Sequence, residues 1–271
     1  MIMNEYYSTL LRYLEEKRPS VAAVIVRGPA QYPAGSRFIF DGDGQRMAGE
    51  QAWPALADLA EKVREVLRSR VPRLYRWEVA GEPLEVFLDP LIPAQRLLIL
   101  GGGHIAVPLA QVGQMIGFEV TVVDDRPSFA SMTRFPAAAR VICDEFGKAI
   151  KDYALDGGTF VVIVTRGHRH DKDCLAEVLR NEAPPAYTGM IGSRRKVKAV
   201  LAELREEGIS PALLDSVQAP IGLDIGGQTP EEIAVSIMAE IIMVKYYGYS
   251  TGLKVQSGGV RGGSAGNAGH S

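Results

Sequence analysis

The chain has 271 residues, 46% of them hydrophobic, and a formal net charge of −2. That is enough apolar surface for about two globular cores, and too little positive charge for the footprint of a nucleic-acid binder. No apolar run approaches the roughly 18 residues a membrane-spanning helix needs, and the amino terminus lacks a basic start followed by an apolar stretch, so a cytoplasmic protein without a membrane span is expected. Only Cys143 and Cys174 occur, each inside an expected element, which argues against a disulfide framework and fits a reducing compartment.

Residues 6–16 carry a helical pattern, residues 21–26 and 36–40 read as strands, and Asp41-Gly42-Asp43-Gly44 is a turn signal. Residues 55–68 place Leu56, Leu59, Val63 and Leu67 at helical spacing. Residues 73–79 and 85–88, around Gly81-Glu82-Pro83, predict a second hairpin. These elements make a small α+β domain over residues 1–92, with Pro90 and Pro93 bracketing a linker to the rest.

The pattern then changes. In residues 96–125, RLLILGGGHIAVPLAQVGQMIGFEVTVVDD, an apolar run enters a glycine turn, a helical stretch follows, and a second β-branched run ends in Asp124 and Asp125. Gly101 permits the tight strand-to-helix turn, Gly103 lets a pyrophosphate approach the backbone, and Ala106 keeps the helix close to the strand. The amides around Gly102, Gly103, His104 and Ile105 then face the phosphates. Asp124 stands where an acidic residue accepts hydrogen bonds from ribose hydroxyls. Dinucleotide binding is expected, NAD in preference to NADP because a carboxylate disfavours a 2′-phosphate, with Arg126 nearby opposing that preference.

From Arg96 to residue 248, strands at 97–100, 120–123, 140–143, 160–164 and 187–191 alternate with helical patterns. The expected fold class is therefore α/β, a doubly wound, mostly parallel Rossmann-like sheet over residues 96–248 beside the smaller amino-terminal domain. Thr229, Pro230 and Glu232 announce a last helix with Ile233, Ile237, Met238 and Ile241 as its core stripe. Residues 255–271 are too poor in apolar groups to pack and read as a disordered tail, in which His270 carries no functional weight.

In such a sheet, ligands bind beyond the carboxyl ends of the strands, between the first and fourth. His104 follows the first strand, and Thr165-Arg166-Gly167-His168-Arg169-His170-Asp171 follows the fourth, so three of the four histidines are expected at one crevice. His104, His168 and His170 are the candidate catalytic groups, for proton transfer or orientation. Asp171 alternatively serves as an N-cap for a helix around residues 174–179. After the fifth strand, Gly192, Ser193, Arg194 and Arg195 combine a capped helix start with two guanidinium groups, a favourable anion site. Gly222, Gly226 and Gly227, in the stretch 219–227, suggest close approach to a ligand or another chain. Cys143 and Cys174 read as small buried hydrophobes.

The blocks LLILGGGHIAVPLA, VTVVDDRPSFA followed by RFP, TRGHRHDKDCL, YTGMIGSRRK and APIGLDIGGQTPEEIAVSIMAEII closely resemble the xanthine dehydrogenase accessory factor family, XdhC/CoxI, from about Leu97 to Ile242. The resemblance implies a maturation factor that handles or helps insert the sulfurated molybdopterin cofactor. Its implied partners are a molybdenum hydroxylase apoenzyme, a cysteine desulfurase or cofactor-nucleotide transferase, and a second copy in a homodimer. Residues 22–50 look like a diverged form of the family's amino-terminal domain. There the family commonly carries a cysteine in a glycine-rich segment, whereas this chain has Arg46-Met47-Ala48-Gly49-Glu50-Gln51-Ala52-Trp53-Pro54; no metal ligand is expected. Two other readings stand beside this one: a free-standing NAD-dependent oxidoreductase using His104 or His168, and a metal-dependent hydrolase using His168, His170 and Asp171.

Overall fold

Two five-stranded sheets organise the chain, whose computed structural model describes residues 2–16, 18–49 and 53–248. The proposed tail lies outside the described residues. Strands β1 (Ser20–Arg27), β2 (Arg37–Phe40), β3 (Arg46–Gly49), β4 (Arg73–Val79) and β5 (Glu82–Leu91) form an antiparallel sheet in the order β3-β2-β1-β5-β4. Alternation along β1 splits its two faces: Val21, Ala23 and Ile25 are fully buried against Leu59, Val63 and Val66 of α2 (Leu59–Ser69), while Ala22 turns toward the cluster of Tyr6, Ile39 and Ala48 under α1 (Ile2–Glu15).

The second helix begins at Leu59 rather than residue 55. β3 was not anticipated, because Arg46-Met47-Ala48-Gly49 has no β-branched residue; it is held as an edge by pairing with β2 and by α1. The hairpin turn is only Ala80-Gly81, both at positive φ (55° and 80°), so Glu82 and Pro83 already belong to β5. Pro90 likewise lies in β5, opposite Val21, and does not open a linker. Both prolines are tolerated because each sits beyond the end of one neighbour: pairing with β1 stops at Glu85 and pairing with β4 at Leu88.

The second sheet is parallel. Its strands are β6 (Arg96–Leu100), β7 (Glu119–Asp124), β8 (Arg140–Cys143), β9 (Thr159–Ile163) and β10 (Tyr187–Met190), in the order β10-β9-β6-β7-β8. All five stand where the sequence predicts them, within about a residue or two. The order reverses between β6 and β9, which makes the carboxyl end of β6 the switch point.

Helices cover both faces of this sheet, so its central strands are apolar on both sides. Leu98, Leu100, Val161 and Ile163 pack with α4 (Phe146–Asp152), α5 (His168–Leu179) and α6 (Arg194–Glu206). Leu97, Ile99, Phe160 and Val162 pack with α3 (Ala106–Met115) and α8 (Pro230–Tyr247). Full burial of each such side chain contributes about 1.5–3 kcal/mol. Tyr187 of β10 donates its hydroxyl to buried Glu240 of α8, satisfying a polar pair between sheet and helix. A short helix, α7 (Pro211–Asp215), precedes the glycine-rich stretch 219–227, where a Cβ on Gly222 would meet Ser236 of α8, so that stretch is a close connection against the helix. No helix among the described residues is long and apolar enough to cross a membrane.

The start of α8 forms the capping box that its sequence announces. Thr229 Oγ1 accepts from Glu232 N at 3.2 Å, and the Glu232 carboxylate accepts from Thr229 N at 3.1 Å and Gln228 N at 2.8 Å. Ile237, Met238 and Ile241 are buried below it, with Ile233 packed at the margin. Replacing Thr229 by alanine is expected to cost about 1 kcal/mol, lowering the melting temperature by about 2–4 °C. A calorimetric melt unchanged within error would show that α8 is held by packing alone.

Candidate functional site

The glycine turn leaves β6 at the switch point. Gly101 adopts φ +112°, and a Cβ there would run into the backbone of Val164 at the end of β9, so no side chain fits. A Cβ on Gly102 would strike the carbonyl of Phe129, because residues 126–135 fold back over the turn. Gly103 differs: a Cβ there meets nothing within 4 Å, leaving its face of the backbone open. Ala106 is fully buried and Ile105 packs at the edge of the core, so their side chains hold α3 in place. His104 is exposed beside them. The N-cap position, Ile105, makes no side-chain hydrogen bond, which leaves the first turn of α3 suited to an anion.

Asp124, at the end of β7, is 1% exposed and already saturated. Its Oδ2 accepts from Gly102 N at 2.8 Å and from Arg126 Nη2 at 2.9 Å; its Oδ1 accepts from Arg126 N at 3.0 Å and Arg126 Nε at 2.8 Å. Burial alone would push this carboxyl up, but the hydrogen bonds from the Arg126 side chain and from the amides of Gly102 and Arg126, with the Arg126 charge, hold it below the usual carboxylate range. The sequence expectation that Asp124 receives a ribose therefore meets a carboxylate whose acceptor positions are taken. Nothing local in the sequence separates a free carboxylate from one forked by an arginine two residues on.

Asp125 Oδ1 stands 3.9 Å from Arg126 Nε and has a closer partner across β6. Arg166, after β9, reaches it with both terminal nitrogens at 2.6 and 2.9 Å, a bidentate ion pair between loops that flank β6. Arg134 completes the cover, its Nε donating to Gly102 O at 3.0 Å. The Arg126 guanidinium lies 3.6 Å from the centre of the Phe129 ring and that of Arg134 lies 5.2 Å from it. Phe129 and Arg134 stand in the blocks VTVVDDRPSFA and RFP, but the blocks assign them no role. The spacing that carries them, two arginines eight residues apart around a phenylalanine, has no local periodicity to mark it.

The remaining candidates are distributed rather than gathered. α5 begins at His168 with Gly167 at its N-cap, so Asp171 is not a cap. Instead Thr165 N and Oγ1 donate to Asp171 Oδ1 at 3.2 and 2.6 Å, and burial pushes the Asp171 carboxyl up against those bonds. His168 Nε2 stands 3.7 Å from Glu203 of α6, within a surface network that includes Lys172 and Glu207. His170 faces the ring of Phe146 on α4 at 5.9 Å. His168 and His170 thus point to opposite neighbours of α5, and His168, His170 and Asp171 do not converge. Among the described residues no group of three or more His, Cys, Asp or Glu could hold a metal ion.

Ser193 caps α6 by accepting from Lys196 N at 3.3 Å, as its sequence suggests, and Arg194 and Arg195 are exposed at that helix start after Gly192. β10, which leads into it, lies two strands from β6, about 10 Å at ordinary strand spacing. Cys174 is buried, its thiol pushed up by that burial, whereas Cys143 at the end of β8 is exposed, contrary to the expectation of a buried hydrophobe.

A parallel sheet of this order with a glycine turn at its switch point defines a Rossmann-type α/β protein. The XdhC Rossmann domain family matches residues 97–241, and the chain belongs to that family. A probable xanthine dehydrogenase subunit from Bacillus subtilis (strain 168) is 31% identical over 193 residues, 71% of this chain and 54% of that protein. The molybdenum cofactor insertion chaperone PaoD of Escherichia coli (strain K12) is 26% identical over 157 residues, 57% of this chain and 42% of its own length. The chain spans about half the length of the curated relatives it matches. A solved structure of a xanthine dehydrogenase from Bacillus halodurans shares the fold, with a TM-score of 0.51 at 21% identity, over 87% of this chain and 94% of that one.

The Asp124 arrangement predicts a pH-dependent contribution to stability. A carboxylate whose folded pKa lies below its unfolded value of about 3.9 stabilises the fold above that value, and the contribution is lost as pH falls through the folded pKa. Asp124→Asn keeps the shape but turns an amide donor toward donors. At neutral pH it is expected to cost about 1.5–3 kcal/mol, a deficit that shrinks as both proteins are taken below about pH 4. Denaturant titrations at pH 7 and pH 3 check this. An equal deficit at both values would show that packing rather than charge is lost.

Proposed function

We propose that this chain serves the maturation of a molybdenum hydroxylase of the xanthine dehydrogenase type, handling or helping to insert its sulfurated molybdopterin cofactor, with the glycine turn binding a dinucleotide. The observation that carries this reading is family membership across the whole parallel sheet, residues 97–241, together with relatives whose names refer to xanthine dehydrogenase and to molybdenum cofactor insertion. The site supports it chemically. Open backbone at Gly103 and an uncapped α3 suit a pyrophosphate, and Arg194 and Arg195 offer planar donors to a second phosphate-bearing group.

The fit is to the phosphate-bearing part of such a cofactor. The described residues supply no soft ligand set for molybdenum: Cys174 is sealed in the core, and Cys143 stands without a clustered partner among them. When bound, the cofactor would bring the redox chemistry for the client enzyme; this chain's own groups bind and orient. Of residues 46–54, where the family's cysteine segment would align, 50–52 lie outside the described residues. The proposed setting is cytoplasmic, as a homodimer, with the hydroxylase apoenzyme as client and a cysteine desulfurase or cofactor-nucleotide transferase as second partner.

The test is hydroxylase specific activity per unit of molybdenum in cells carrying the intact protein, none, or the Arg194→Ala/Arg195→Ala form. Deletion should lower activity far more than hydroxylase abundance, because subunit assembly does not need the terminal sulfur. The double substitution should fall between, since hydrogen bonds from charged donors contribute about 1.5–3 kcal/mol each. The same value in all three strains would overturn the maturation role.

A further inference from the structure

The group beside the glycine turn is built for an anion rather than for a sugar diol. A carboxylate has about four acceptor positions, and four N–H donors fill those of Asp124: two amides and two nitrogens of Arg126. A ribose with free hydroxyls would need some of these positions. To release them Arg126 must give up its fork, and a neutral diol offers the displaced guanidinium no charge in return.

Arg126 itself is only partly used. Of the five N–H donors of a guanidinium, Nε and one on Nη2 serve Asp124, while the side chain is 31% exposed. Stacking on Phe129 at 3.6 Å fixes its plane, and Arg134, anchored through Nε to the Gly102 carbonyl, flanks the same ring. Around the turn Arg126 forks onto Asp124 and Arg166 onto Asp125, while Arg134 is held by the Gly102 carbonyl and flanks the Phe129 ring.

We infer that the crevice selects a nucleotide whose adenosine ribose carries a phosphate, of the NADP type, and that Arg126 is the specificity-determining residue, oriented by Asp124 and Phe129. The inference rests on reading the crevice as a dinucleotide site, and it reverses the preference for NAD expected from an acid at the end of β7. A phosphate accepts from the remaining donors of Arg126 while the Asp124 fork stays closed, so neither charged group is stranded.

Calorimetric titration of the full chain with NADP+, NAD+, 2′,5′-ADP and 5′-AMP tests it. The wild-type protein is expected to bind NADP+ at least about ten-fold more tightly than NAD+, equivalent to about 1.4 kcal/mol, and 2′,5′-ADP more tightly than 5′-AMP, both preferences shrinking as salt is raised. Arg126→Ala should bring the ratios close to one, and Arg126→Lys should keep part of them. The two fragments need no variant, so the result stands even where Arg126→Ala fails to fold. NAD+ binding as well as NADP+, or a ratio unchanged by Arg126→Ala in a folded protein, overturns the inference and leaves the dinucleotide reading intact. No binding of any of the four overturns both.

Discussion

A carboxylate that water does not reach must be satisfied by the protein, and the edge of the parallel sheet is arranged around that requirement at Asp124. Its position is fixed by β7, which is buried along its length from Val120 to Asp124. Gly102 can supply an amide only because the turn is tight, and Arg126 can supply its fork only because the chain reverses directly after the strand. That reversal carries residues 126–135 back over the turn. One buried charge thus fixes the turn, the strand end and the covering loop together. Isolated ionised groups are too costly to bury, so these donors are a condition of the fold as well as of the site.

The parallel half was legible because burial on both faces leaves an unambiguous signature. Strands such as Thr159–Ile163 are buried throughout and apolar from Phe160 on, and between them lie helices with a single apolar stripe. In the antiparallel half β1, β2, β4 and β5 were legible from their runs of apolar, aromatic or β-branched residues. β3 escaped because an edge strand held by a neighbouring helix needs no β-rich sequence of its own. Pro90 misled because proline is read as a breaker, whereas at a staggered strand end the missing N–H has no partner to lose.

The candidate site was legible where a residue's role is set by its immediate backbone. Gly101, Ala106, Ser193 and Thr229 belong to that class, since turn, close packing and helix start are local constraints. Roles that depend on what comes from elsewhere were not readable. Asp125 meets Arg166 across the sheet edge from 41 residues away, and Gly102 meets Arg134 from 32. The histidines show the limit of arguing from loop membership. Residues two apart on a helix are about 200° apart around its axis, so His168 and His170 face α6 and α4 respectively.

The covering loop is pinned at both ends: Arg126 to Asp124 at its start, Arg134 to the Gly102 carbonyl and Phe135 in the core at its close. A loop held this way has little freedom left to lose when something binds beside it, so the ordering cost that normally subtracts from affinity has been absorbed in folding. The same stiffness limits the direction of approach. The Gly102 side is closed by the Phe129 carbonyl, and the Gly103 side is open and leads to the uncapped start of α3. The turn glycines therefore decide which side of the backbone is open. The arginines around the turn are each held by a carboxylate, a carbonyl or an aromatic ring. Asp124 and the Gly102 carbonyl tie the turn to Arg126 and Arg134, so a substitution in either group is felt by the other.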